Sequence, residues 1–294
     1  MKLTNFLIGG VVGFLTACGA ATPSPEPTLP ISPVETGPTA QIPEAEVFNS
    51  PPVTPSPALG IDPEPGNSPV LSWNRDPQAR LISATFCCGH ITQVTLLNYI
   101  PDALVWGDGR IIWVEPDNEA RRVLAGRLSV EQIEALLERM AAAGFFSWQD
   151  RYADQSVADA PDQCLSVELE NQSKKVCEYF QGAPPAFHEL YAEVAGGAGA
   201  TGADYLPERG YLTAYPLDLP NGFTPPVDAV WPVDSAGFSL AEIGAGRWVE
   251  GETLNIAWEM VNAKWRGMII QESEIYYQLT LQIPGLSYVE PPTQ

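Results

Sequence analysis

The chain has 294 residues, of which 15 are basic and 36 acidic, so its formal net charge at pH 7 is −21. Binding to a nucleic acid backbone needs clustered basic side chains, and the adjacent basic pairs are limited to Arg121-Arg122 and Lys174-Lys175. The composition therefore excludes a nucleic acid as the expected partner. An acidic surface also gives no attraction to anionic lipid headgroups, and its simplest consequence is solubility.

The N-terminal segment combines Met1 and Lys2 with an apolar run from Phe6 to Leu15, which is followed by Ala17-Cys18. The run is about ten residues long, against roughly 20 needed to span a bilayer, which is typical of a signal-peptide core. Leu15-Thr16-Ala17-Cys18 resembles the lipobox of a bacterial lipoprotein. The alternative is an ordinary signal peptide or an N-terminal anchor helix in which Cys18 has no role.

The lipoprotein resemblance implies that residues 1–17 form a signal peptide and that Cys18 becomes the first residue of the mature chain. A diacylglycerol on its thiol would supply the two acyl chains that stable membrane anchoring requires. Gly19, not aspartate, follows the cysteine. The resemblance then implies an extracytoplasmic protein, on the outer membrane if the bacterium has two membranes.

Residues 18–69 have the composition of a linker, because proline recurs every few residues from Pro23 to Pro69 among Ser, Thr, Ala and Gly. Proline removes amide donors and fixes φ, so neither a helix nor a sheet is expected. The segment predicts a disordered, lipid-anchored tether whose upper reach is on the order of 150 Å. A proline-rich ligand for a partner domain is the alternative.

The first predicted elements of the remaining chain are strands. Strand patterns cover residues 81–86 and 93–99, and a hairpin joins 103–106 to 110–114 through Gly107-Asp108-Gly109. Asp-Gly supplies the positive φ angles that a tight hairpin turn needs.

A helix is predicted from Ser129, because Ser129 and Gln132 stand at the two positions of a capping box. Its apolar face has helical spacing, and Gly144 ends it. The residues of that face are Val130, Ile133, Leu137 and Met140.

A second hairpin follows an acidic loop, with alternating residues over 165–169 and a return over 176–180. Pro184-Pro185 then opens another helix, and glycines at 196–199 interrupt the chain. Residues 251–265 fit both a strand and a helix, and their length favours a helix. Residues 277–283 predict a final strand.

These elements predict an α+β fold of antiparallel strands and hairpins with two or three packed helices, because hairpins exclude a doubly wound parallel sheet. We expect an α+β lobe over 70–195 and a second α+β lobe over 196–294, packed on the first.

Several turn and cap motifs follow one another along the chain in an order that resembles a domain of secreted and lipid-anchored bacterial proteins whose function is unknown. The motifs are Asp108-Gly-Arg-Ile-Ile, the segment from Gly126 to Leu137, Ala143-Gly-Phe-Phe146 and Asp159-Ala-Pro161. The resemblance implies a fold and supplies no catalytic residues. Cys87-Cys88 departs from it, because small residues are expected at that place.

Four cysteines, Cys87, Cys88, Cys164 and Cys177, follow the tether, and an even set outside the cytoplasm suggests disulfides. If Leu165 faces Val176, then Cys164 and Cys177 lie directly opposite each other in the second hairpin, and this pairing is favoured. Pairing of Cys87 or Cys88 with one of the other two, or free buried thiols, are the alternatives.

Metal and catalytic motifs are weak. A copper or zinc site at Cys87-Cys88-Gly89-His90 is disfavoured, because adjacent cysteines of a strand point to opposite faces. The aspartates of the acidic loop lack EF-hand spacing, so they are only weak calcium candidates: Asp154, Asp159 and Asp162. No Gly-x-Ser-x-Gly elbow, zinc-protease helix or nucleotide motif is present. We therefore expect no cofactor and no resident metal.

Two tryptophans, Trp106 and Trp113, flank the Asp-Gly turn and are the binding candidates, since exposed rings stack on sugars. The competing interpretation is core packing.

The sequence predicts an envelope lipoprotein that is a non-catalytic binding module for a glycan or an envelope protein. The alternative is an extracytoplasmic hydrolase that uses carboxylates, because such pairs have no fixed spacing.

Overall fold

The computed structural model describes residues 71–154 and 156–293. The predicted signal peptide, Cys18 and the tether of residues 18–69 lie outside the described residues. Within them the predicted α+β class is confirmed, with two sheets of mainly antiparallel strands and five α-helices in the part of the chain that is described. None of the helices among these residues has the length and apolar character that a membrane crossing requires.

The first sheet has eight strands. These are β1 (Arg80–Cys87), β2 (Ala103–Trp106), β3 (Arg110–Asp117), β4 (Ala120–Arg127), β5 (Arg151–Ala153), β6 (Asp162–Glu168), β7 (Ser173–Tyr179) and β8 (Ala203–Asp204). Their order across the sheet is β5-β7-β6-β1-β2-β3-β4-β8. All neighbours are antiparallel except β5 and β7, which pair in parallel.

The second sheet has five strands. These are β9 (Arg209–Pro216), β10 (Ala229–Val230), β11 (Arg247–Glu250), β12 (Ile269–Glu272) and β13 (Ile275–Gln282). Their order is β10-β12-β13-β9-β11, and β10 pairs with β12 in parallel. The two sheets therefore follow one another along the chain.

The helices are α1 (Gln93–Leu97), α2 (Val130–Ala142), α3 (Pro185–Ala195), α4 (Val233–Ala236) and α5 (Gly251–Ala263). The capping box of α2 is formed as predicted, with the Gln132 amide donating to Ser129 Oγ at 3.2 Å and the Ser129 amide donating to Gln132 Oε1 at 2.8 Å. Residues 251–263 are helical, so the choice of helix over strand for that segment is confirmed.

One predicted strand is wrong. Residues 93–97 form α1, because Thr92 caps it: its Oγ1 accepts the Thr95 amide at 3.2 Å. The alternation of Val94 and Leu96 with polar residues imitated a strand, but Thr95 and Asn98 are buried and serve tertiary contacts. A local cap and long-range packing together override the strand pattern.

The two faces of the central strands belong to two different cores. Ala103, Val105 and Ile111 pack with α2 and α3 in what we call the helix-side core, whereas Leu104 and Ile112 pack with α5 and the second sheet in the sheet-side core. Successive residues of a strand point to opposite faces, so β2 and residues 111–114 of β3 are apolar at every position. The hairpin that the Asp-Gly turn predicted is therefore sandwiched between two layers.

Trp113 fills the helix-side core because three glycines leave room for its ring. A Cβ atom at Gly202 would lie 2.3 Å from the ring, and one at Gly197 would lie 2.8 Å from it. A Cβ at Gly126 would still approach within 3.2 Å. The ring and the glycines thus fix where the chain leaves α3 and enters β8.

Candidate functional site

A cavity of about 690 Å³ lies between the segment that follows β1, helix α1, the β3–β4 hairpin and the loop after α5. This volume is within the range of about 300–1,000 Å³ that small-molecule sites occupy. Its wall is mainly apolar and includes Ile100, Val114 and Trp265. A small number of polar and charged side chains interrupt that wall, and they decide what the cavity can hold.

Arg121 is the buried charge of this cavity. It lies on β4 and is 7 % exposed, whereas its neighbour Arg122 points to the other side of the strand and is exposed. Arg121 Nε donates to Asn262 Oδ1 at 2.5 Å and Nη1 donates to the Asn98 carbonyl at 2.7 Å. The third nitrogen, Nη2, is buried and has no hydrogen-bond partner in the described chain. An unpartnered buried donor of a charged group costs about 1–3 kcal/mol or more.

The two asparagines hold the guanidinium in place. Asn262 is itself fixed by donating from Nδ2 to the Trp258 carbonyl at 2.9 Å. Asn98 bridges to the second sheet, donating to the Leu279 carbonyl and accepting the Leu281 amide, each at 2.9 Å. Arg121 is therefore positioned by both halves of the fold.

A second cation and an aromatic ring stand beside Arg121. The Arg121 Cζ lies 5.4 Å from the centroid of the Trp265 ring, and the Arg266 Cζ lies 5.0 Å from the same centroid. Trp265 is partly buried and Arg266 is exposed. Burial lowers the pKa of Arg121 to about 9, which leaves the guanidinium charged at pH 7. The cavity thus contains two guanidinium groups inside a chain whose net charge is −21.

Asp102 and Tyr99 line the cavity, and Tyr191 of the helix-side core hydrogen-bonds to Asp102 from behind the wall. Tyr191 donates to Asp102 Oδ2 at 2.5 Å, and Tyr99 Oη lies 3.5 Å from Oδ1 while accepting the Phe86 amide at 2.7 Å. Burial raises the pKa of Asp102, and the hydrogen bonds from Tyr191 and Tyr99 partly oppose it. Burial and the charge of Asp102 raise the pKa of both tyrosines, so both remain donors.

The Cys87-Cys88-Gly89-His90 segment forms one wall. Cys87 and Cys88 are joined to each other in a disulfide, and neither is joined to Cys164 or Cys177. Cys87 is 8 % exposed and Cys88 is exposed, with φ at +90°, a region that non-glycine residues rarely adopt. A Cβ atom at Gly89 would lie 2.4 Å from the Asp159 carbonyl oxygen, so this wall rests on the 159–161 loop.

Cys164 and Cys177 lie outside the cavity. Leu165 faces Val176 and Cys164 faces Cys177 in the β6–β7 ladder, and the two sulfurs are joined. Cys164 is 5 % exposed and Cys177 is 8 % exposed. The bond staples two paired strands and does not reach the cavity wall.

The weak calcium candidates are engaged with other protein groups. Asp154 accepts the Ser156 amide and hydroxyl as well as the Gln181 side chain, and Asp162 pairs with Arg151 at 2.9 Å. Asp159 contributes its carbonyl oxygen to the His90 amide at 3.4 Å. Among the described residues no group of three or more His, Cys, Asp or Glu side chains is arranged to hold a metal ion.

The two tryptophans singled out as binding candidates are both buried. Trp106 is 6 % exposed in the sheet-side core and Trp113 is 4 % exposed in the helix-side core. Neither ring offers an exposed stacking platform, and the hairpin's sandwiched position is the reason. Trp265 is the tryptophan that lines the cavity.

Tyr99, Asp102 and Arg121 of the cavity wall, and Asn98, which holds Arg121, were not among the site residues that the sequence predicted. Arg121 was counted only as one half of a basic pair. The alternation of β4 could have indicated that Arg121 is buried, because positions 121 and 123 face one side of the strand and position 122 faces the other. What the sequence does not contain is the approach of α5 to that face.

Comparison with known proteins places one named domain in the chain. Residues 101–196 match the family model of a domain of unknown function, DUF6438. No curated protein and no solved structure matches the chain. The matched range contains Asp102, Arg121 and Tyr191, while Cys87, Cys88 and Trp265 lie outside it.

Proposed function

We propose that the protein is a non-catalytic binding module that holds a small anionic ligand with an apolar body in the cavity beside Arg121. The observation that carries this proposal is the buried guanidinium whose Nη2 has no hydrogen-bond partner among residues 71–154 and 156–293. Buried polar groups in folded proteins are nearly always hydrogen-bonded, so an orphaned donor in a cavity wall points to a missing acceptor. A carboxylate or phosphate oxygen is the acceptor that a guanidinium binds best.

Charge supports an anion rather than a neutral ligand. Arg121 and Arg266 both lie against Trp265, and both line the cavity. The apolar wall favours a ligand that also carries a ring or an alkyl group, since burial of such a group is favourable by about 25 cal/mol per Å². Nη2 is buried, so we expect an entering oxygen to reach it only when a neighbouring side chain moves, and Trp265 lies beside the guanidinium with its ring centroid 5.4 Å from Cζ.

The proposal includes the place where the module acts. Anchored at Cys18 and carried on the linker of residues 18–69, it would bind its ligand outside the cytoplasm of a bacterium. The support is the lipobox-like sequence and the proline-rich composition. The ligand is then an envelope component or a solute with an acidic group; a glycan ligand would be an acidic one.

Binding is tested with three probes that each carry a phenyl ring and are of similar size: benzoate, benzamide and benzylamine, which are anionic, neutral and cationic at pH 7. Titration calorimetry reports on occupancy. We expect benzoate to bind about 10–100 times more tightly than benzamide, because hydrogen bonds to a charged group contribute about 1.5–3 kcal/mol. Benzylamine is expected not to bind.

Arg121→Gln and Arg122→Gln form a matched pair of variants, since they remove the same charge from adjacent residues of β4. Arg122 is exposed and pairs with Asp204 at 2.5 Å on the other side of the strand. The proposal predicts that Arg121→Gln abolishes the preference for benzoate and that Arg122→Gln keeps it. Equal binding of benzoate and benzamide by the unaltered protein would overturn the proposal without any variant.

A second candidate function, an extracytoplasmic hydrolase with carboxylate catalysis, is favoured by one observation. Asp102 lines the cavity and burial raises its pKa, which is the property of a general acid. Asp159 is the other carboxylate-bearing residue of the wall. Hydrolysis of nitrophenyl esters or glycosides that Asp102→Asn abolishes would establish this function, and inactivity across such a panel favours the binding module.

A further inference from the structure

We infer that the cavity also carries a thiol–disulfide exchange site, in which a small thiol bearing an anionic group opens the Cys87–Cys88 bond. The inference rests on the proposed function, because the anionic group would be held by the same guanidinium groups. The ligand class is a low-molecular-weight thiol carboxylate.

The position of the bond is the first argument. Cys87 and Cys88 both line the cavity that contains Arg121 and Arg266. A ligand whose carboxylate is held by these groups is therefore confined in a space whose wall includes a disulfide. Confinement of two reactants raises their effective concentration, which accelerates a reaction between them.

The second argument is the contrast in exposure between the two disulfides. Cys88 is exposed and lines the cavity. Cys164 and Cys177 are both buried in the middle of a ladder, where β6 lies between β1 and β7 and β7 lies between β5 and β6. Thiol exchange requires in-line access to a sulfur, and exposed disulfides are the ones open to it.

The backbone at Cys88 is the third argument. Its φ of +90° lies in a sparsely populated region, and such residues concentrate at functional sites. Gly89 is pressed against the Asp159 carbonyl at a distance that leaves no room for a Cβ atom. The wall is therefore held in this conformation by the neighbouring loop.

The chemical step is balanced as follows. The thiolate of the ligand attacks Cys88 Sγ, the Sγ–Sγ bond breaks, and Cys87 leaves as a thiolate that takes a proton from water. A second ligand thiolate attacks the ligand sulfur of this mixed disulfide and releases Cys88 as a thiolate, which is also protonated. The protein disulfide gains two electrons and becomes two thiols, while two ligand thiols become one ligand disulfide.

The test uses the full chain and three short thiols, thioglycolate, 2-mercaptoethanol and cysteamine, which are anionic, neutral and cationic. Samples are quenched by alkylation, and mass spectrometry of peptides follows the opening of each disulfide. Each rate is divided by the rate of the same thiol with a small neutral disulfide, which removes differences in nucleophilicity. The net charge of −21 by itself disfavours thioglycolate.

We expect thioglycolate to open Cys87–Cys88 about tenfold faster than 2-mercaptoethanol after this correction, since one charge-assisted contact contributes about that factor. We expect cysteamine to be slowest and Cys164–Cys177 to stay closed. Arg266→Ala, at an exposed position, and Arg121→Gln should both reduce the preference for thioglycolate. Equal corrected rates, the reverse order, or opening of Cys164–Cys177 first would overturn the inference.

Failure of this inference and failure of the proposed function are distinguished by the double variant Cys87→Ser/Cys88→Ser, titrated with benzoate. Binding of benzoate together with no selective exchange in the unaltered protein overturns the thiol site alone. Absence of benzoate binding in both proteins overturns the anion site, and with it the basis for this inference.

Discussion

The helix-side core and the cavity region differ in the polar groups that they bury. The helix-side core, built from α2, α3 and one face of the first sheet, buries Leu137, Phe145 and Phe187 at 0 % exposure with apolar partners. The cavity region, on the other side of the same strands, buries Arg121, Asn98 and Asn262 at 8 % exposure or less. The first arrangement is what stability alone requires, whereas a buried charge with an orphaned donor lowers stability and so points to function.

Leu137→Ala is expected to have the largest effect on stability and no effect on the cavity. Removing a fully buried leucine side chain costs about 2–5 kcal/mol, because lost burial and the space left behind add together. Denaturant unfolding measures this loss, and benzoate titration of the folded variant should give the affinity of the unaltered protein. Glu138→Ala, an exposed neighbour on α2, is the control and should change neither quantity. A changed affinity in Leu137→Ala would mean that the two regions are coupled.

Gly89→Ala is expected to disturb the cavity region as well as stability. A Cβ atom there meets the Asp159 carbonyl oxygen at 2.4 Å, and overpacking of this kind costs about 1–3 kcal/mol. Because the clash lies in the wall, benzoate affinity should fall too. Gly199→Ala is the control: its φ is +79° with open space around the added atom, so it should lose stability without changing affinity. An unchanged affinity in Gly89→Ala would remove the 87–90 segment from the site.

Ser129→Ala is expected to weaken the helix-side core modestly. The side chain caps α2 by accepting the Gln132 amide, and loss of such a cap costs about 0.5–2 kcal/mol. The measurement is the free energy of unfolding, and Gln132→Ala should lose less because only the reciprocal bond is removed. A loss of affinity for benzoate from either change would contradict the separation of the two regions.

Asp102→Asn is expected to have the smallest effect, and one that depends on pH. The pKa of Asp102 in the folded state is raised above its ordinary value of 3.8. In the pH range between 3.8 and the higher pKa of the folded state, the folded protein therefore binds more protons than the unfolded chain. Stability from this group is present at low pH and is lost as pH rises through that window. Asparagine keeps an acceptor for Tyr191 and does not titrate. The stability of the variant relative to the unaltered protein should therefore increase with pH, and a constant difference would show that the pKa is not raised.

The local elements of the fold were predictable and the meeting of distant elements was not. Ser129, Gln132 and Gly144 mark α2, and the register of the β6–β7 hairpin places Cys164 opposite Cys177. The cap at Thr92 was missed because alternating apolar residues favoured a strand. The cavity depends on the loop after β1, on β4 and on α5. Arg121 of β4 and Asn262 of α5 are 141 positions apart in the sequence, and no local pattern encodes their approach.

Tertiary packing also explains why the two tryptophans predicted as a binding surface are buried. Trp106 and Trp113 flank an evident turn, yet both faces of that hairpin are covered. The helix predicted over 251–265 placed Trp265 on its apolar face, but α5 ends at Ala263 and Trp265 lies in the irregular segment that follows. Its role is visible only from the two guanidinium groups against its ring.

In the proposed site, Arg121 Nη2 is the donor of a hydrogen bond whose acceptor is an oxygen of the ligand anion. A crystal structure of the protein with 4-iodobenzoate tests it most directly, since the iodine fixes the position and orientation of the probe. The account predicts the probe in the cavity, with a carboxylate oxygen about 2.7–3.2 Å from Nη2 and Trp265 displaced. A probe outside the cavity, or one inside it that leaves Nη2 without a partner, would contradict the account.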